Sequence, residues 1–157
     1  MLVMGIDPGS HKTGWGLVSC QGSALEHVDS GIIEAKGDIL ARLATIGEEL
    51  EKVLQNYRPD AVAVESLFHH KNTQSALKLG HARGVALFCI ARSERPFFEY
   101  APAEIKRAAT GNGRASKELV GQMVRMLLGH AGQLLSDESD ALAAAICHLQ
   151  VGARGLT

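Results

Sequence analysis

Two short apolar runs in this sequence each end in a carboxylate, and this pattern constrains the fold more than any other feature. Residues 2–6 stop at Asp7, which a Pro-Gly turn follows, and residues 61–64 stop at Glu65. Short apolar runs bounded by turn residues are typical of buried strands. A helical pattern separates the two runs, so a right-handed crossover makes them parallel neighbours in one sheet. Both carboxylates are therefore expected at one sheet edge, where open α/β folds place their functional crevice.

The remaining periodicity predicts the element order βββαβαβααα. A Gln-Gly-Ser turn at 21–23 predicts a hairpin, so the first three strands are expected to form an antiparallel meander. Asp38 and Ser116 are predicted to cap helices. The helices are predicted at 38–56, 72–91, 102–109, 116–128 and 137–150, and a fifth strand is predicted at 96–100. A length of 157 residues favours one domain spanning 1–157, an α/β unit with a five-stranded mixed sheet flanked by helices.

The net charge of −1 conceals a basic middle segment. Residues 1–60 carry five basic and nine acidic side chains, residues 61–130 carry ten and five, and residues 131–157 carry one and three. A basic surface between two acidic ends allows a polyanion to bind beside a carboxylate cluster.

The three cysteines are scattered and form no CxxC pair, which predicts free thiols in a reducing cytoplasm. No apolar stretch approaches the ~20 residues that a membrane span needs. The first residues have no basic n-region, so no signal peptide is expected.

Two further acids stand near the start of the last predicted helix. Asp137 and Asp140 are three residues apart and share a helix face. With Asp7 and Glu65 they form a set of four hard oxygen ligands, which suits Mg²⁺ or Mn²⁺ and metal-assisted phosphodiester hydrolysis. Alternatively, Asp7 is only a turn former, and the two helical acids only complement the helix dipole. Glu138 lies ~100° around the helix from Asp137 and is expected to face solvent.

The motifs around these acids resemble those of the RuvC-type Holliday-junction resolvases. They are GIDPGS at 5–10, DAVAVE at 60–65, ALKLGHARG at 76–84, TGNGRASK at 110–117 and SDESDALAAAICH at 136–148. The resemblance implies a ribonuclease-H-like fold and a homodimer that nicks two like-polarity strands at a four-way DNA junction. It also implies two Mg²⁺ ions per subunit, replaceable by Mn²⁺, and a branch-migration motor complex of the RuvA and RuvB type as a partner. The catalytic metal ligands that it implies are Asp7, Glu65, Asp137 and Asp140.

Four side chains are predicted to contact the DNA. Phe68 follows Glu65 by three residues and is expected to stack on an unpaired base, with a place in the core as the alternative. Lys106, Arg114 and Lys117 surround a glycine-containing loop, and the resemblance places both lysines near the scissile phosphate. A solvated basic face is the alternative for these three. Leu119 stands where the family often has a polar residue, and we assign it to the core.

Small residues recur every four positions in the second predicted helix, at Ala76, Gly80 and Gly84. Glycine inside a helix costs about 1 kcal/mol relative to alanine, and close approach of another element would explain its use here. Packing of this helix on the sheet is one explanation. The resemblance points instead to a contact between two subunits.

Other functions fit parts of the sequence. Asp7-Pro8-Gly9 followed by TGWG also resembles the phosphate loops of sugar kinases and actin-like ATPases, but those require a second nucleotide-binding domain. A relative acting on ribosomal RNA ends shares the first motif and is expected to be shorter. A DNA-binding module without catalysis gains little from four negative charges near phosphates. The sequence therefore favours the junction endonuclease.

Overall fold

The computed structural model describes residues 1–66 and 73–154, with side chains described up to residue 151. Within these residues, the elements follow the predicted order βββαβαβααα. The strands are β1 (Leu2–Asp7), β2 (Lys12–Gln21), β3 (Ala24–Glu34), β4 (Ala61–Glu65) and β5 (Phe97–Tyr100). The helices are α1 (Ile39–Tyr57), α2 (Thr73–Arg92), α3 (Pro102–Thr110), α4 (Lys117–Leu127) and α5 (Ser136–Arg154).

The five strands form one mixed sheet in the order β3-β2-β1-β4-β5. β1, β2 and β3 pair as an antiparallel meander, and β1 and β4 pair in parallel across the α1 crossover. Both pairings confirm the predictions from the sequence. The parallel register sets Ile6 opposite Val64, so the strands end together at Asp7 and Glu65.

Local capping explains where the helices begin. The Asp38 carboxylate accepts a hydrogen bond from the amide of Ala41 at 2.9 Å, as predicted for an N-cap. The Ser116 hydroxyl does the same for Leu119 at 3.2 Å. Pro102 occupies the first position of α3, where a backbone N–H would have no partner within the helix, so its absence costs nothing.

The sheet is covered on both faces, and the period of two assigns each strand residue to one of them. Val3, Ala61 and Ala63 belong to the core beneath α3, α4 and α5. The intervening residues of the same strands pack in the other core, against α1 and α2. Asp7 and Glu65 continue the first series, so both carboxylates emerge on the face that carries α5.

Glycines allow α5 to lie unusually close to this face. A Cβ added at Gly5 would lie 1.7 Å from the carbonyl oxygen of Ala141, and one added at Gly14 would lie 2.1 Å from that of Asp137. Gly14 pairs with Asp7 across the β1–β2 ladder. The absence of side chains at these positions therefore sets the start of α5 directly beside Asp7.

All three cysteines are free, as predicted, with Cys89 and Cys147 buried and Cys20 partly buried. No helix in the described part of the chain is long and apolar enough to cross a bilayer.

Candidate active site

Asp7 is a buried carboxyl group surrounded by other acids. Its pKa is raised from the ordinary value of 3.8 to about 7, first by burial and then by the charges of Asp140, Asp137 and Glu65. Loss of hydration and repulsion from neighbouring carboxylates both disfavour the charged form. The structure therefore brings the four acids singled out in the sequence close enough to influence one titration.

Glu65 occupies the corresponding position at the end of β4. Burial raises its pKa, and the charge of Asp140 raises it further. The positive charges of Lys106, Lys117 and Arg83 oppose this effect. The site thus combines acids that repel one another with cations at its rim.

Lys117 and Asp140 form an ion pair that the sequence analysis did not predict. The Lys117 Nζ lies 2.6 Å from Asp140 Oδ2, and this contact raises the pKa of Lys117. The lysine side chain remains 60 % exposed. Lys117 lines a cleft together with Glu65, Lys106 and Asp140. The predicted Ser116 cap already places Lys117 at the start of α4, but its pairing with Asp140 depends on how α4 packs beside α5.

Glu138 is not fully solvated, which corrects the expectation from its position on the helix. It is partly buried, and its Oε1 accepts a hydrogen bond from the Ser30 hydroxyl at 3.1 Å. Its Oε2 accepts one from the amide of Leu135 at 2.9 Å. The edge strand β3 reaches the beginning of α5, so the side that appeared free in a helical projection meets another element. This contact anchors the turn that carries Asp137.

The predicted DNA-contacting residues have different outcomes. Lys106 lies in the cleft with Lys117, whereas Arg114 is exposed on the loop before α4. Phe68 lies outside the described residues, so its role stays a prediction. Leu119 is 41 % exposed, and its assignment to the core was wrong. The residues of α4 that are buried in the core are instead Val120 and Val124.

Gly80 and Gly84 lie on an open face of α2. A Cβ at either position would meet no atom of the described residues within 4 Å. Packing on the sheet therefore does not explain these two glycines, and that alternative is wrong. Leu77 and Phe88 extend the same face and are 61 % and 60 % exposed.

The acids fit a divalent metal ion by their chemistry. Every donor is a hard carboxylate oxygen, and the raised pKa of Asp7 records a repulsion that a bound cation would relieve. Within residues 1–66 and 73–151, no three His, Cys, Asp or Glu side chains already converge on one point at ligand distance. Metal binding by these acids would therefore require side-chain rotations.

The metal-free protein is expected to lose stability as the pH rises from about 4 to about 7. Asp7 has a pKa of about 7 in the fold and an ordinary value of 3.8, so the folded chain binds more protons between these limits. The contribution of Asp7 to the free energy of unfolding is fully present below pH 3.8, and it is lost as the pH rises through about 7. Melting temperatures in EDTA should fall more steeply with pH for the wild type than for Asp7→Asn. If the melting temperatures of the two proteins fell equally with pH, the raised pKa of Asp7 would be contradicted.

Comparison with known proteins agrees with this geometry. The family model described as crossover junction endodeoxyribonuclease RuvC matches residues 3–148. A protein of that description from Geotalea uraniireducens is 47% identical over 150 residues, covering 94% of this chain and 88% of its own. One from Sorangium cellulosum is 50% identical over 151 residues, covering 95% and 84%.

Solved structures give the same result. Thermus thermophilus RuvC superposes with a TM-score of 0.89 at 33% identity, covering 99% of this chain and 97% of that one. The same protein in complex with a Holliday junction substrate gives a TM-score of 0.93, with 99% and 96% covered. The sheet and its flanking helices are thus the ribonuclease-H-like fold. On these matches, this chain belongs to the RuvC family of crossover junction endodeoxyribonucleases.

Proposed function

We propose that this chain resolves four-way DNA junctions by paired, symmetric hydrolysis of phosphodiester bonds, in recombination and repair. The observation that carries the proposal is the position of Asp7, a carboxyl group with a pKa of about 7 among three other acids and beside Lys117. A structural acid gains nothing from such surroundings, whereas a nuclease needs concentrated negative charge to hold cations against a phosphate. Membership of the RuvC family supplies the substrate class.

The metal that we propose is Mg²⁺, two per subunit, with Mn²⁺ as a substitute. The residues that would hold it are Asp7, Glu65, Asp137 and Asp140. When bound, such a pair of ions would favour ionisation of an attacking water and stabilise the leaving oxygen of the phosphodiester. The sheet holds the backbone at the ends of β1 and β4, and the close contacts at Gly5 and Gly14 hold α5 beside it, so rotations of the four side chains would be enough to complete the ligand set.

Positive and aromatic side chains are proposed to hold the DNA. Lys106 and Lys117 face the same cleft as Glu65 and are suited to neutralise the phosphate that lies there. Arg114, exposed on the preceding loop, is proposed to contact the backbone farther out. Phe68 is proposed to stack on a base that the junction leaves unpaired. Phosphate contacts of this kind give affinity and register and leave sequence preference to other interactions.

A homodimer would provide two such sites related by a two-fold axis, matching the approximate symmetry of the junction. We propose the open face of α2 as part of the subunit contact. A branch-migration motor of the RuvA and RuvB type is a further proposed partner. We also treat residues 1–157 as one nuclease domain acting in the cytoplasm, where its free cysteines stay reduced.

Gly80→Leu is expected to convert a homodimer to monomers. Among residues 1–66 and 73–151, no atom lies within 4 Å of a Cβ added at Gly80, so the larger side chain is expected to leave the protomer fold intact and to obstruct only a partner. Lys78→Leu is the matched control, because it adds the same side chain roughly 160° around the helix. Sedimentation at micromolar concentration should show the change for Gly80→Leu alone. A monomeric wild type would contradict the proposed interface.

The function is tested with a synthetic four-way junction, a linear duplex of the same sequence and Mg²⁺. The expected result is a pair of nicks at symmetric positions in two opposing strands of the junction, with the duplex left intact. Mapping each nick on separately labelled strands distinguishes paired cutting from random nicking. Equal cutting of the duplex, or binding of the junction with no cutting in Mg²⁺ or Mn²⁺, would contradict the proposal.

A further inference from the structure

Arg83 is the only buried lysine or arginine among the described side chains of residues 1–66 and 73–151. It lies on α2, which packs on the face of the sheet opposite to α5. A guanidinium group removed from water is costly unless its hydrogen bonds are satisfied. Its partners therefore indicate why the fold retains it.

The guanidinium group bridges two adjacent strands beside the candidate active site. Its Nη1 donates a hydrogen bond to the main-chain carbonyl oxygen of Glu65 at 2.7 Å. Its Nη2 forms an ion pair with the Glu99 carboxylate. Glu99 lies on β5 opposite Val64 of β4, so one planar group ties α2 to both strands.

Glu65 needs such an anchor because it lies beyond the last pair of the β1–β4 ladder. That ladder ends at Ile6 and Val64. On the other side, Glu65 pairs with Tyr100, and the next amide, that of Ser66, bonds to the Tyr100 carbonyl oxygen at 2.8 Å. The bond from Arg83 fixes the Glu65 carbonyl group, and with it the direction in which the Cα–Cβ bond leaves the strand.

We propose that Arg83 is a positioning residue for the metal-binding carboxylate of Glu65, acting through the Glu65 main chain from the opposite face of the sheet. The inference rests on the proposed function, since it assigns Glu65 to the metal site. Groups that orient metal ligands in this way typically change metal affinity or activity by about 10–100-fold when they are altered.

The test compares Arg83→Lys, Arg83→Met and Glu99→Gln with the wild type. Both Arg83 variants should bind Mn²⁺ about 10–100-fold more weakly, measured by electron paramagnetic resonance without DNA, and should cut bound junctions correspondingly more slowly in single turnovers. Arg83→Lys should be the milder variant, because it keeps a positive charge and a donor group, although it lacks the planar fork that bridges two partners. Junction affinity in Ca²⁺ should stay near the wild-type value. Glu99→Gln is the control, because it removes the ion pair and leaves the Glu65 bond, so its Mn²⁺ affinity should change little.

Three results would overturn the proposal. The first is wild-type Mn²⁺ affinity in folded Arg83→Lys and Arg83→Met. The second is a loss that follows melting temperature across all three variants, including Glu99→Gln, which would assign Arg83 to stability alone. The third is failure of Arg83→Lys to fold, which would likewise assign Arg83 to stability alone. A wild type that binds Mn²⁺ and leaves junctions uncut would instead defeat the proposed function, while the Mn²⁺ comparison would still decide the role of Arg83.

Discussion

Asp7→Asn is expected to abolish junction cleavage and to leave junction binding intact. The amide keeps the shape of the side chain, but it cannot supply the negative charge that a divalent cation requires. Metal ions contribute several kcal/mol of transition-state stabilisation, and a loss of about 4 kcal/mol corresponds to roughly a thousandfold in rate. Single-turnover cleavage and gel-shift binding of one labelled junction measure the two properties separately.

The same substitution should make the metal-free protein more stable, because it removes a carboxyl group that is buried among other acids. The stabilisation should be largest above pH ~7, where the wild-type carboxyl group is ionised.

Glu34→Gln is the matched control: it also removes one negative charge, from a side chain that is 54% exposed. It should cut junctions like the wild type. Equal losses of binding and cutting in folded Asp7→Asn would count against a metal-ligand role.

The sheet and its helices were predictable because each depends on a local signal. Strands β1 and β4 are short apolar runs with turn residues after them, and α1 and α4 begin at side chains that cap them. The right-handed crossover then fixed the parallel pairing of β1 and β4. Two carboxylates at one sheet edge followed from these local patterns together with the crossover rule.

The spacing of glycines in β1 and β2 also indicates the face of the sheet on which these carboxylates emerge, although no prediction above relied on it. Gly5 and Asp7 are two residues apart, and Gly14 and Gly16 repeat that spacing on the neighbouring strand. Glycines at a period of two mark one face of a sheet where another backbone approaches closely. That face receives α5, so the pattern predicts where the two helical acids meet Asp7.

Contacts between distant elements were not predictable from local patterns. Glu138 appeared free in a helical projection and is bound by Ser30 of β3, more than a hundred residues away. Leu119 fits an apolar stripe and yet is exposed, because its position lies at the border of the buried face of α4. The bond from Arg83 to Glu65 likewise depends on how α2 lies against the sheet. The surroundings of side chains at the margin of a helix depend on packing against elements that are distant in sequence, so a short stretch of sequence does not predict them.

Gly5→Ala is expected to cause the largest loss of stability among the glycine substitutions, together with a loss of cleavage. The added Cβ would lie 1.7 Å from the carbonyl oxygen of Ala141, so α5 must move away from the sheet. Forced overpacking costs about 3 kcal/mol or more when backbone has to shift. In a chain of this size that lowers the melting temperature by roughly 10 °C. Displacing Asp137 and Asp140 by ~1 Å would slow cleavage about a hundredfold in the molecules that remain folded.

Two other glycines provide a graded series for this prediction. At Gly16 the added Cβ would lie 2.5 Å from the buried side chain of Leu142 rather than 1.7 Å from backbone, so Gly16→Ala should destabilise less than Gly5→Ala. At Gly121, inside α4, the nearest atom is the Ser139 hydroxyl oxygen at 3.7 Å, so Gly121→Ala should stabilise the chain by about 0.5–1 kcal/mol. Melting temperatures rank the three variants, and cleavage per folded molecule separates displacement of α5 from general instability. A folded Gly5→Ala variant with wild-type cleavage would show that the position of Asp137 and Asp140 does not depend on close contact between α5 and β1.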